Sequence, residues 1–247
     1  MYLRSIMLTI KHNQYIFPPR AQDAIPREDT TTYGELGWIA QLKYNDSRCI
    51  VKYCDNGEIQ LWNRHAERFR TYFPPAELIE ELHEIGERLK IEPGTVTMLD
   101  GGLLHQKHTA IKDTIVLWDI LVHNDQHLIG TTYRNRYHQL AATATNEPWV
   151  YTHQTHDSIE FGHKFTTNTF IPLNIPHSNW DAAWEIIAVV NAPWTKGTPN
   201  SPNYEIKPVI EGLVLKDPLG TLEMGYKEKN NSDWLCRSRV HTGRHTF

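Results

Sequence analysis

The stretch that most restricts the fold runs from Leu36 to Trp62. Leu36-Gly-Trp-Ile-Ala-Gln-Leu is an extended apolar run that delivers Lys43 to a polar break at Asn45-Asp46, and Arg48 follows the lysine by five residues. Cys49 to Trp62 then alternates apolar and polar residues on either side of Asp55-Asn56-Gly57. An Asn-Gly pair between alternating segments is a strong short-range hairpin signal. The segment therefore predicts an antiparallel sheet with Lys43 at its lip, where an amine is partly desolvated and fit to act as a nucleophile. Taken alone, a lysine before a turn is an ordinary solvated charge, so the rest of the chain has to support the nucleophilic reading.

The remaining pattern is mixed α+β. Residues 75–90 place Leu78, Leu82, Ile85 and Leu89 at helical spacing, with glutamates and an arginine on the other face, so a helix is predicted to pack on the sheet. Val96–Leu99 leads as a strand into Asp100-Gly101-Gly102, and Thr114–Val122 reads as a buried strand. A helix is expected over about 132–142, with Arg134 and Arg136 on its solvated face, and another over 179–191 with Trp180, Trp184 and Ile187 toward the core. The polar stretch 148–170 suggests short strands or a flap, and residues 197–202 a connector. Val209–Lys216 is a strand whose interior is bracketed by Glu211 and Lys216, which an edge strand with charged ends would also explain. Residues 1–31, with Phe17-Pro18-Pro19-Arg20 and Ala24-Ile25-Pro26-Arg27, read as an irregular N-terminal arm.

Composition narrows the class. A chain of 247 residues with 40% hydrophobic and 11% aromatic content can bury a core as one domain. No apolar run reaches membrane-spanning length, and the first ten residues are too short and broken for a signal peptide. Cys49, Cys54 and Cys236 show no metal spacing and fit a reducing, cytoplasmic compartment. A net charge of −4 argues against a protein that coats nucleic acid, yet leaves room for a local basic groove. The histidines are scattered, and His153, His156 and His163 read as a surface loop rather than a zinc site.

Read in order, Lys43-x-Asn45-x-x-Arg48, Asp100-Gly101-Gly102, Trp118-Asp119-Ile120-Leu121, Glu211-Gly212-Leu213-Val214-Leu215-Lys216, and Trp234 before Arg237 and Arg239 resemble the covalent nucleotidyltransferase superfamily. That superfamily comprises the ATP-dependent polynucleotide ligases and mRNA capping enzymes. The resemblance is closest to the DNA ligases and spans residues 17–239. It implies an adenylation domain of antiparallel sheets flanked by helices, an ATP-grasp-like ligase core. It also implies a lysyl-AMP intermediate on Lys43, formed from ATP with Mg2+. Arg48 would then hold the ribose, Gln41 read the adenine edge and Asn45 take the place of the usual aspartate. Glu211 and Asp100 would serve as metal ligands, and Lys216, Arg237 and Arg239 would meet the nucleotide's phosphates. Arg64 resembles a contact to a nucleic-acid 5′-phosphate, for which a planar guanidinium is suited. Trp118 reads equally well as a core aromatic or, by the resemblance, as the adenine platform.

The sequence departs from the family pattern at several positions. Lys-x-Asp-Gly is usual, whereas Lys43 is followed by Tyr44-Asn45-Asp46; Asp46 is expected to take the positive φ of the missing glycine, in a strained turn. Asp-Gly-Glu is usual, whereas Gly102 stands in the glutamate's place. Near the C-terminus arginines replace lysines and lie one residue further from Trp234. Only eight residues follow Arg239, where this family commonly adds a small OB-fold barrel, so a minimal core of the kind viruses carry is expected, assisted by an accessory protein or by self-association. The implied substrates are nicked DNA or RNA ends, with no membrane partner. RNA ligase, mRNA guanylyltransferase acting on GTP, and a catalytically lapsed nucleotide- or nucleic-acid-binding module stand as alternatives.

Overall fold

The computed structural model describes residues 9–10, 14–107, 111–144, 148–151, 159–164, 168–196, 205–206 and 208–240. The chain runs through β1 (Arg20–Ala24), α1 (Thr30–Glu35), β2 (Ile39–Tyr44), β3 (Ser47–Tyr53), β4 (Ile59–Trp62), α2 (Ala76–Arg88) and β5 (Thr97–Leu104). It continues through β6 (Thr114–His123), β7 (Gln126–His127), α3 (Tyr133–Ala141), β8 (Pro148–Tyr151), β9 (Ile159–Lys164) and β10 (Thr169–Pro172). The last elements are α4 (Trp180–Asn191), β11 (Thr195–Lys196), β12 (Glu205–Ile206), β13 (Ile210–Lys216) and β14 (Asn231–Arg239).

Two sheets carry the fold. The smaller has the order β1-β14-β13-β2, and the larger the order β4-β3-β5-β6-β10-β9-β8 with β7 beside β6. Neighbours are antiparallel except β1 beside β14 and β10 beside β6. The predicted hairpin is β3–β4, with Val51 opposite Leu61 and Gly57 at φ +82 in its turn. The polar break at Asn45-Asp46, however, is no hairpin. β2 belongs to the smaller sheet and β3 to the larger, so the chain crosses between sheets immediately after Lys43. A crossing does not need a left-handed residue, and Asp46 is not among the positive-φ residues of the described chain, contrary to the strained turn expected there. Asn45 fixes the crossing instead: its backbone N–H donates to the Val209 carbonyl at 2.9 Å and its side-chain amide to the Pro208 carbonyl at 3.0 Å.

Helices cover both sheets, α2 and α3 the larger and α4 the smaller. Leu78, Leu82 and Ile85 of α2 and Leu89 at its C-cap are buried in one cluster with Leu99, Leu117 and Ile120 of the larger sheet. At about 1.5–3 kcal/mol for each fully buried side chain, packing rather than helix propensity holds α2 in place. Trp180, Trp184 and Ile187 of α4 pack on Ala40, Leu213 and Leu215 of the smaller sheet. The stripes at helical spacing are thus core, as their spacing indicates.

Three charged or irregular positions differ from their sequence reading. Arg136 is not on a solvated face but only 1% exposed, its guanidinium bound to Asp119 of β6 at 2.8 and 3.0 Å. Glu81 is buried within the polar side of α2, where its carboxylate accepts from the Asn168 N–H at 3.0 Å and the Thr169 hydroxyl at 3.1 Å, fastening the start of β10. Within the expected irregular arm, Arg20–Ala24 pairs in parallel with β14 and extends the smaller sheet. The expected connector at 197–202 falls outside the described residues, as do His153 and His156. Among the described helices none is long and apolar enough to cross a membrane, and all three cysteines are free and buried.

Candidate active site

A cleft of about 480 Å³ opens between the two sheets, a size suited to a small-molecule ligand. β2, β13 and β14 form one wall, β3, β5 and β6 the other, and Phe17-Pro18-Pro19 a rim. Eight lysine and arginine side chains line it against four carboxylates, in a chain whose net charge is −4. The basic groove is therefore local, and a cleft that concentrates one sign of charge draws in an anionic ligand.

Lys43 and Glu211 meet across β2 and β13. Lys43 lies opposite Gly212, and the pairing register shifts between Ile210 and Gly212, leaving Glu211 as the extra residue of a bulge. Bulges re-aim side chains beside functional sites. Here the bulge sets the Glu211 carboxylate on the Lys43 ammonium, which donates to its Oε2, with Arg239 at 3.7 Å from the same oxygen. Gly212 makes this geometry available. Its φ of +142 favours glycine, and a Cβ there would stand 2.1 Å from the Ser238 carbonyl oxygen.

Asp100, Arg48 and Trp118 form a second group. The Arg48 guanidinium donates to both Asp100 oxygens and, at 3.0 Å, to the Pro19 carbonyl, while the Trp118 indole N–H donates to Asp100 Oδ2 at 2.8 Å. Burial raises the Asp100 carboxyl above its usual range, against the pull of Arg48 and of the indole N–H toward the carboxylate. Asp100 thereby positions Arg48, and both its oxygens accept from protein donors. Trp118 is the residue skipped where β5–β6 pairing shifts between Asp100 and Gly101. It is half-buried in a strand whose neighbours are buried, its ring lies in the cleft wall, and the Arg48 guanidinium lies 5.4 Å from its centroid.

Lys216 is buried deeper in the cleft wall, 4.2 Å from the Tyr133 ring centroid. Burial pulls its ammonium down to about 7, partly offset by Asp119 and Asp100. Burial and the like charges of Arg239 and Arg20 lower Arg237, whose Nε is buried without a hydrogen-bond partner among the described residues. A wall so rich in guanidinium and ammonium groups fits an anionic ligand.

The other expected site residues are placed as follows. Gln41 is buried in the cleft wall, its amide nitrogen donating to Asn174 Oδ1 at 3.0 Å and to the Pro172 carbonyl at 3.2 Å. Asn45 is not part of the cleft lining; its side chain closes the strand crossing. Arg64 lies at the mouth, donating to His65, which contacts Glu228 at 2.7 Å. Arg239 is about half exposed on the smaller sheet. Arg20 and Lys107 also line the cleft, Lys107 donating to the Asp46 carbonyl oxygen. No sequence pattern singled them out. Asp46 lies in the cleft, its carboxyl pushed up to about 6 by burial against the opposing pull of Lys43, Lys107 and Arg48.

No protein-family model matches the sequence, and no curated protein matches it. Solved structures do. The ligase domain of M. tuberculosis LigD aligns with a TM-score of 0.50 at 13% identity, over 91% of this chain and 59% of that one. A mycobacterial DNA ligase D complexed with ATP and MES aligns at 0.48 and 12% identity, over 91% and 60%. A structure from work on Lig E DNA ligases aligns at 0.44 and 10% identity, over 90% and 69%. The chain thus spans about three fifths of the length of the two LigD structures. At such identity the similarity bears on the fold, which is that of a DNA-ligase adenylation domain.

Proposed function

We propose that this chain is an ATP-dependent polynucleotide ligase of the DNA-ligase type, a single nucleotidyltransferase domain whose nucleophile is Lys43. The observation that carries the reading is the Lys43–Glu211 pair, set by a bulge at the edge of a cationic cleft in a ligase adenylation fold. Lys43, once neutral, attacks the α-phosphorus of ATP; the N–P bond forms, the bond to pyrophosphate breaks, and AMP is left on the lysine. Arg48, held by Asp100, and the Arg237 guanidinium in the cleft lining stabilise charge on the phosphate oxygens. The Trp118 ring in the cleft wall offers a stacking face for the base, and buried Gln41 a polar edge beside it. A nucleic-acid 5′-phosphate then takes the adenylate, with Arg64 at the mouth as its contact, and a 3′-hydroxyl displaces AMP.

The donor set suits magnesium. Among the described residues no three histidine, cysteine or acidic side chains converge into a cage, and Mg2+ is typically bound through one or two carboxylates plus substrate phosphates. Glu211, beside Lys43, is a carboxylate that would hold it. When bound, the ion would neutralise phosphate charge as a Lewis acid.

The test is incubation with Mg2+ and α-labelled ATP or GTP, followed by denaturing gel and peptide mapping. Label from ATP on Lys43, lost in Lys43→Ala, supports the adenylyl-transfer step, and nicked DNA against RNA ends then separates DNA from RNA ligase. Label from GTP moves the chain to the capping class. A folded protein that takes no label from either nucleotide refutes the catalytic reading and leaves a binding module.

A further inference from the structure

Gly101 and Gly102 lack side chains for different reasons. A Cβ on Gly101 would stand 2.3 Å from the Val116 carbonyl oxygen, so backbone excludes it. Gly102 has no left-handed φ, and the three atoms nearest to its would-be Cβ all belong to the Asp46 side chain, with Cγ at 2.4 Å and Cβ and Oδ1 at 2.8 Å. Position 102 is empty because Asp46, arriving from the strand crossing, occupies its space. Two positions distant in sequence thus share one side-chain site, whose occupant Asp46 lines the cleft.

The group in that site is a carboxylate among cations. Of the four acidic residues lining the cleft, Asp100 is paired with Arg48, Asp119 with Arg136 and Glu228 with His65. Among the described residues the Asp46 carboxylate makes no hydrogen bond or ion pair, although it feels the charges of Lys43, Lys107 and Arg48 and, with opposite sign, that of Glu211. An unpaired carboxylate in a cleft that favours anions has oxygens free to accept a cation carried in with a polyphosphate. Resting on the nucleotide reading above, we propose that Asp46 is a ligand for the divalent cation that accompanies the nucleotide, with Gly102 the space that admits it.

The experiment compares the parent with Asp46→Asn, Asp46→Gly, Gly102→Glu and the double variant Asp46→Gly/Gly102→Glu. It reads thermal melting without ligand, and Mn2+ and Mn2+·ATP binding by calorimetry and water-proton relaxation. Asp46→Asn keeps the shape and is expected to melt like the parent while binding Mn2+·ATP about tenfold to a hundredfold more weakly, the loss of one charge-assisted contact. Gly102→Glu is expected to melt lower, and the double variant to regain both the parent melting temperature and most of the Mn2+·ATP affinity missing from Asp46→Gly. A parent that binds ATP, with Asp46→Asn binding Mn2+·ATP equally well, overturns this inference alone. A double variant that melts as low as Gly102→Glu overturns the shared site whatever the ligand. A parent that binds neither ATP nor Mn2+ overturns both readings.

Discussion

Replacing Arg136 with Met should destabilise the protein severely, although the residue carries no assigned chemistry. Arg136 and Asp119 are both almost fully buried and joined by two charge-assisted bonds, and Arg136 also donates to the Thr131 carbonyl and lies over the Trp234 ring at 5.4 Å. Met fills much of the arginine stem's volume, so the main loss is electrostatic. Asp119 Oδ1 keeps the Ile120 N–H at 2.8 Å, whereas Oδ2 loses its only donor among the described residues. Removing one partner of a buried pair costs about 3–5 kcal/mol, and the retained bond places this case in the lower half, about 3–4 kcal/mol. For a chain of this size that lowers Tm by about 6–16 °C. Asp119→Leu should cost as much by stranding the guanidinium, while the double Asp119→Leu/Arg136→Met should be more stable than either single variant, since an apolar pair leaves no buried charge. Urea unfolding of the four proteins closes the cycle. A loss below about 1 kcal/mol for Arg136→Met, or a double variant whose loss equals the sum of the singles, would refute a buried, mutually dependent pair.

Gly212→Ala should lose about 2–6 kcal/mol from combined backbone strain and overpacking against Ser238, together with ATP labelling of Lys43; Gly57→Ala, with no atom within 4 Å of the added carbon, should lose only about 1–2 kcal/mol, both read by thermal melting. Lys216 has a folded-state pKa near 7, lowered from 10.5. The unfolded chain therefore holds more protons between these values, and stability should rise with pH across that window by up to about 1.4 kcal/mol per unit, an increment absent from Lys216→Met in pH-dependent urea melts. Trp118→Phe removes the indole bond to Asp100 and should cost about 1.5–3 kcal/mol of stability while preserving ATP affinity. Trp118→Ala should weaken ATP binding about fivefold or more by calorimetry if its ring stacks on the base.

Much of the architecture was legible because apolar periodicity is a local signal. The stripes of α2 and α4, the β3–β4 hairpin and the buried strand β6 all follow from spacing. Partnership between distant strands was not legible. Nothing near Asn45 says that β2 and β3 belong to different sheets, and that one fact changes Lys43 from the lip of a sheet to a wall of a cleft. Arg136 illustrates the same limit: an arginine between polar helix residues reads as solvated until Asp119, on another strand, is brought beneath it. Asn45 was singled out by motif position, yet its side chain holds the crossing, while Lys107 reached the cleft from a loop that no motif covers.

The register shifts explain how so few elements bring so many charged groups together. In a regular strand successive side chains alternate faces, so adjacent residues cannot both serve one cleft. At Glu211 the bulge lets the carboxylate meet Lys43 while Leu213 and Leu215 keep their places in the core. At Trp118 the shift puts its ring in the cleft wall and leaves Asp119, also in that wall, to bind Arg136. Gly212 is the visible mark of the first shift, since only the absence of a side chain permits its φ and its approach to Ser238. At the second, Gly101 is excluded from carrying a side chain by the Val116 carbonyl, and its neighbour Gly102 by Asp46. A Gly-Gly pair that looks like a motif with its acid deleted is therefore, in three dimensions, one glycine required by the backbone and one that makes room for an acid delivered from the crossing between two other strands.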